Sequence, residues 1–303
     1  MGLATLTLYK TLVMVILAIV GIVAYKVKIV DAQTNKKLSE LVLSLFTPVL
    51  LFMSFQKEVS SELMKGLALS AVLSVGSFIL IWIICKIVTI KRDKDYAAVE
   101  LISLMYSNCG FIGIPMAQGI FGSDGVLYMT AYVATANLLL WSHGVIVMSG
   151  KADLKSVIKV FRSPVIISII LGLIFFALQI ELPAIVREPM EMIAAVNTPM
   201  AMMVAGVCIA QSDIKEAFCK IRLYWLSFVK LLLIPAVHIA ILWFLPIPTL
   251  CKTVIVLASA CPAGVTGNLF ALRYGKDAIY ASEIFAITTV LSALTVPLTM
   301  LFF

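Results

Sequence analysis

Two stretches put polar, helix-breaking residues where the surrounding chain is almost wholly apolar. Residues 108–122 read NCGFIGIPMAQGIFG, and residues 258–270 read ASACPAGVTGNLF. The first brings together Asn108, Cys109, Gly110 and Pro115. The second brings Cys261, Pro262, Ala263, Gly264, Thr266 and Asn268. A carboxamide donates and accepts hydrogen bonds at once, while proline and glycine free backbone groups from helical pairing. Such groups recognise a polar solute; they do not make or break its bonds. Enzyme chemistry would need a nucleophile with its base, or a metal motif such as HExxH. The only two histidines, His143 and His238, lie in separate apolar runs, and the six cysteines form no CxxC pair. An enzyme, a metal centre and a bound cofactor are therefore not expected.

The elements that must carry these stretches are set by the solvent. Of 303 residues, 62% are hydrophobic and 13% charged, and the mean hydropathy is +1.10. Soluble domains carry roughly 25% charged residues, so this chain cannot clothe itself in water. Apolar windows long enough for a bilayer core of about 30 Å recur to the end. The reading is an all-α polytopic membrane protein. Ten spans are expected, near 6–25, 39–56, 64–85, 97–119, 125–148, 164–181, 190–211, 220–245, 252–272 and 279–302. The N-terminal run lacks a basic leader and a small-residue cleavage site, so it reads as a retained span.

Lysine and arginine set the orientation. The loops after spans 1, 3, 5, 7 and 9 carry 4, 4, 4, 3 and 2 of them, against Lys57, Lys65, Arg187 and Lys252 after the even spans. Cytoplasmic loops collect these residues, which places the odd loops inside and both termini outside the cytoplasm. The net charge of +7 is then mostly loop charge and implies no nucleic-acid partner; the partners expected are the lipid bilayer and a small solute.

Two short patterns recur. FTPVLLFMSF (Thr47-Pro48) resembles NTPMAMMVAG (Thr198-Pro199), and FGSDGVLYM (Gly122, Asp124) resembles YGKDAIYAS (Gly275, Asp277). Each half then holds five spans, residues 1–150 and 151–303. Since five is odd, the second copy enters the membrane inverted. Inverted repeats that carry interrupted helices are a feature of secondary transporters. At about 1.5 Å per residue, Asn108 and Pro262 each lie roughly 15 Å below opposite surfaces. Both interruptions therefore fall near mid-membrane, where free backbone is tolerated only inside protein or beside a watery cavity.

Other polar groups inside spans are candidates for charge or proton coupling: Lys230, Glu100, His143, Glu283 and His238. Lys230 is open to two readings, attraction of an anionic solute or a long stem reaching to the interface. Asn137 in span 5 is a further candidate for solute contact, while Pro48 and Pro199 read as kinks in supporting helices.

NCGFIGIPMAQGIFG and ASACPAGVTGNLFALRYGKDAIYASE resemble the fourth- and ninth-span signatures of the auxin efflux carrier family, which includes bacterial dicarboxylate permeases and the PIN-type auxin exporters of plants. The resemblance covers essentially the whole chain. It implies a bile-acid-symporter-like fold of ten helices with spans 4 and 9 crossing at their broken points. It further implies a dimeric scaffold of spans 1, 2, 6 and 7, a mobile transport domain of spans 3–5 and 8–10, and elevator-like movement of organic anions across a cell membrane. The short loop between spans 5 and 6 is like that of bacterial members. A channel or membrane sensor built on the same frame is the second reading.

Overall fold

The computed structural model describes residues 3–58, 60–150, 161–211 and 219–303. The expected junction of the repeats at 150/151, and the loop lysines counted within 151–160 and 212–218, lie outside the described residues. Among those residues there is no β-strand. The helices are α1 Leu3–Lys26, α2 Ala32–Ser54, α3 Ser61–Thr89, α4 Lys94–Met105, α5 Cys109–Ser149, α6 Pro164–Leu178, α7 Ala184–Gln211, α8 Ile221–Trp243, α9 Thr249–Ala260, α10 Val265–Arg273 and α11 Ala278–Thr299.

Local chemistry sets several of these starts. Asp31, Ser60, Ser163 and Asp277 each accept a hydrogen bond from the backbone N–H three residues on, at 2.7–3.3 Å. This satisfies a donor that a helix N-terminus leaves open. α6 stops at Gln179, whose φ of 53° is left-handed.

Among the described residues seven helices are long and apolar enough to cross a membrane, against ten expected spans. The difference has three causes. Expected spans 4 and 9 are each divided, giving the 12-residue helices α4 and α9 on one side of the interruption. Span 6 is a 15-residue helix. The third cause is α5, a 41-residue run that would measure about 60 Å if straight. It does not run straight. Gly122 has φ 65°, ψ −152°, a conformation open to glycine and strained for other residues. A Cβ on Gly125 would lie 2.9 Å from the Ala117 carbonyl oxygen, so the chain doubles back and the two limbs are neighbours. Gly275, at the matching position of the second pattern, has the same φ of 65° and separates α10 from α11.

Wide π turns at Val42–Phe46, Cys109–Gly113 and Val229–Leu233 each end two residues before a proline: Pro48, Pro115 and Pro235. Proline lacks an N–H and its ring collides with the carbonyl four residues back. Widening the preceding turn moves that carbonyl away without ending the helix.

α1, α2, α6 and α7 pack mainly on one another, through α1–α7, α2–α6 and α2–α7 contacts. A second set comprises α3, α4, α5, α8, α9, α10 and α11, joined through α3–α5, α3–α4, α8–α9, α5–α9 and α10–α11. α1 also touches α5 and α11. The α1–α7 pair meets backbone to backbone. A Cβ on Gly21 would lie 2.1 Å from the Met203 carbonyl oxygen, and one on Gly206 would lie 1.9 Å from that of Ala18. Small residues let membrane helices approach in this way.

Gly206→Ala should therefore lower the melting temperature and the yield of folded protein in detergent, because backbone carbonyls cannot yield as a side chain would. The same change at Gly76 meets nothing within 4 Å and should be neutral or stabilising by up to about 1 kcal/mol. Thermal unfolding of the two purified variants checks the contrast.

Candidate functional site

The two interruptions face each other. α4 ends at Met105 and α5 begins at Cys109; α9 ends at Ala260 and α10 begins at Val265. Between them Ser107 and Ala263 form a single antiparallel bridge. The Asn108 N–H donates to the Pro262 carbonyl at 2.8 Å, and the Gly264 N–H donates to that of Tyr106 at 2.9 Å. Each broken helix thus supplies the partner that the other lost. The Ala263 N–H is met by the Thr288 hydroxyl on α11 at 3.2 Å. Close approach depends on Gly264, where a Cβ would lie 3.0 Å from the Tyr106 carbonyl oxygen.

Beside this bridge is a cavity of about 100 Å³. Asn108, Cys109 and Gly110, from the first turn of α5, line one part; Gly264, Val265 and Thr266, at the start of α10, line another. Two helix N-termini therefore open on one small space, and first-turn N–H groups have no acceptor within their own helix. Their summed dipoles favour negative charge. Asn137 lines the cavity from the second limb of α5; its amide nitrogen is bonded to the Val133 carbonyl at 2.8 Å. Leu43 and Thr47 of α2 and Val165 of α6 complete the lining from the other helix set. Thr47 donates to the Asn197 amide oxygen on α7 at 2.7 Å.

Asn108 is buried, and its Nδ2 donor has no hydrogen-bond partner; the same holds for the Oδ1 acceptor of Asn268. A buried amide group left unpaired costs roughly 1–3 kcal/mol. Behind the cavity, Lys230 is wholly buried at 0% exposure, and its ammonium donates to the Ser107 hydroxyl at 2.6 Å. Among the described residues no carboxylate lies within ion-pair distance of it. The interface-reaching reading of Lys230 is thus set aside: its head is held at the bridge, because the chain around α8 covers the whole stem. A buried cation with one hydroxyl partner and no counter-ion is the largest charge near the cavity.

The remaining sequence candidates separate. Cys109, Gly110, Asn137, Gly264 and Thr266 line the cavity with Asn108. Cys261, Pro262 and Ala263 lie buried in the bridge segment without lining the space, and Pro115 and Asn268 sit further along their helices. Pro48 is buried beside Thr47, and Pro199 lies inside α7. Glu100 is fully buried and tied to Arg92, to Arg222 at 2.6 Å and to the Tyr280 hydroxyl at 2.9 Å; Glu283 pairs with Lys220 at 2.5 Å. Both carboxylates are engaged away from the cavity. His143 meets the Tyr106 hydroxyl at 3.1 Å, and His238 meets the Ser77 hydroxyl at 2.7 Å. No group of three or more His, Cys, Asp or Glu among the described residues is placed to hold a metal ion.

Tyr106 and Thr288 escape the sequence reading. Tyr106 carries no mark beyond standing next to the break. Thr288 is 25 residues from the backbone it satisfies, a distance at which no local pattern speaks.

A family model described as membrane transport protein matches this chain over residues 7–157 and 151–300. Three relatives are similar along nearly the whole length or most of it. An uncharacterized transporter of Methanocaldococcus jannaschii is 27% identical, covering 95% of this chain and 96% of its own. One of Methanothermobacter thermautotrophicus is 23% identical, covering 97% of each. The uncharacterized transporter YfdV of Escherichia coli is 23% identical over 86% of each.

The bridge makes a direct prediction. Ser107 and Ala263 are a pair without mutual hydrogen bonds, for which the Cα separation is about 4.5 Å, within disulfide range. With the six native cysteines replaced by serine or alanine, Ser107→Cys plus Ala263→Cys should cross-link under mild oxidation in membranes. Each single variant should not. Cross-linking is read as a mobility shift after proteolysis between the two positions.

Proposed function

This chain belongs to the membrane transport protein family, the auxin efflux carrier group that its motifs resemble, and from that premise we propose that it is a secondary carrier of small organic anions. The observation that carries this reading is the meeting of two helix N-termini at one cavity, with the unpaired amide donor of its lining residue Asn108 beside it and the buried Lys230 charge one hydroxyl behind it, through Ser107. All four contribute positive potential, and among the described residues no carboxylate at the cavity matches them. A carboxylate solute supplies that match. At about 100 Å³ the cavity is small. A three- or four-carbon dicarboxylate such as malonate or malate suits this better than an indole acid.

The wider arrangement follows the same reading. Ten spans form a 5+5 inverted repeat crossing at the interruptions of spans 4 and 9. α1, α2, α6 and α7 act as a scaffold, in a homodimer, and the other helices move past it as an elevator. Thr47 and Val165 close the cavity from the scaffold side and would be left behind as the site moves. Loop charge puts both termini outside the cytoplasm.

Purified protein in liposomes should show saturable uptake of malonate or malate. Asn108→Ala should lower uptake roughly tenfold or more, since a hydrogen bond to a charged group is worth about 1.5–3 kcal/mol, and Lys230→Met should lower it further. Uptake left unchanged by Asn108→Ala combined with Asn268→Ala would remove the site. Single-channel currents with the wild type would point instead to a channel.

A further inference from the structure

Away from the cavity, the last turns of α3, the first turns of α4 and the end of α5 enclose a groove of about 560 Å³. Its walls are Ile87, Ile90, Leu101 and Val147, and two lysines, Lys86 and Lys94, stand on it. Ile87 and Ile90 are largely exposed, whereas Leu101 is buried and forms the floor. The groove lies at the end of the molecule where Arg92, Arg222, Lys220 and Lys276 also gather. Each of those four is matched to a carboxylate: Glu100 for the two arginines, Glu283 for Lys220 and Asp95 for Lys276. Lys86 and Lys94 are different. Among the described residues neither has an ion-pair partner, and Lys86 rests 5.8 Å from the centroid of the Trp82 ring.

The nearby acids do not neutralise them. The Asp93 carboxylate accepts the Asp95 N–H at 3.1 Å to cap α4, and Asp95 is taken by Lys276. The groove therefore has an apolar trough, a rim of two uncompensated ammonium groups and a position beside the charged end of membrane-crossing helices. A membrane supplies one class of molecule with that pattern: an anionic phospholipid, its phosphate between the two lysines and an acyl chain along Ile87, Ile90 and Val147. Basic pockets between transmembrane helices at a leaflet surface bind such headgroups.

We propose that the groove between α3, α4 and the end of α5 is a specific site for an anionic phospholipid, read by Lys86 and Lys94. The site lies on the helix set that carries the interruptions. It stands independently of which solute, if any, the central cavity takes.

Native mass spectrometry of the purified full chain, titrated with phosphatidylglycerol and separately with phosphatidylcholine, tests it. The wild type should bind phosphatidylglycerol preferentially. Lys86→Gln plus Lys94→Gln should weaken that binding roughly tenfold or more, at about 1 kcal/mol per lysine near a lipid surface, and leave phosphatidylcholine binding unchanged. Lys36→Gln plus Lys37→Gln, two exposed lysines elsewhere, should keep the preference. Melting temperatures of the variants check that each is folded. Equal binding of both lipids by the wild type overturns the proposal. So does a preference that survives in the Lys86/Lys94 variant, or is lost equally in the Lys36/Lys37 variant, which would mark diffuse attraction. Displacement of phosphatidylglycerol by glycerol phosphate alone would show that the groove reads a soluble phosphate and would likewise overturn it.

Discussion

A peptide group in hydrocarbon has no water to turn to, and this single constraint shapes the centre of the molecule. Two helices that stop inside the protein leave donors and acceptors open, and either one alone would be untenable in a bilayer. They are tenable because they stop at the same place. Pro262 presents a carbonyl to Asn108, Tyr106 presents one to Gly264, and Thr288 closes the remaining N–H from a third helix. The smallness of Gly264 is part of the same solution, since the two segments of chain touch where its side chain would be.

Satisfying the backbone in this way leaves a polarised space beside the bridge. The donors that pair across the bridge are spent, but the first residues of α5 and α10 line the cavity, and first-turn N–H groups have no acceptor within their own helix. Lys230 adds a full charge one hydroxyl away, through Ser107. The carboxylates that could have quenched it are held elsewhere, Glu100 by two arginines and a tyrosine, Glu283 by Lys220. Among the described residues these buried carboxylates are thus spent on cations at the end of the molecule, and the cation at its middle has none.

Much of this is legible in the residues themselves. Low charge and high hydropathy announce the bilayer. Asn-Cys-Gly and Cys-Pro-Ala-Gly mark the interruptions, because proline and glycine break the helix that an apolar run would otherwise form. The family resemblance carried by the same residues holds. Other features are not legible. The break between spans 4 and 5 is legible in Gly122, Ser123 and Asp124, but periodicity cannot tell that the chain turns there on a positive φ at Gly122. Nor does it show that a π turn precedes Pro48, Pro115 and Pro235, since that adjustment is a reply to a steric clash in three dimensions. Lys230 is ambiguous in sequence for a related reason: a stem of four methylenes can lead to an interface or inward, and only the packing of α8 decides.

The glycine contacts between α1 and α7 have a mechanical meaning. A layer of side chains can shear by exchanging rotamers, as a row of bristles slides over another, but carbonyl oxygens seated against glycine have no bristles to bend. That seam is a weld. Any large displacement within the chain has to choose a different fault line, and the surfaces of α2 and α7 that face α5, separated in part by open volume lined with Leu50, Gln118 and Thr198, offer one.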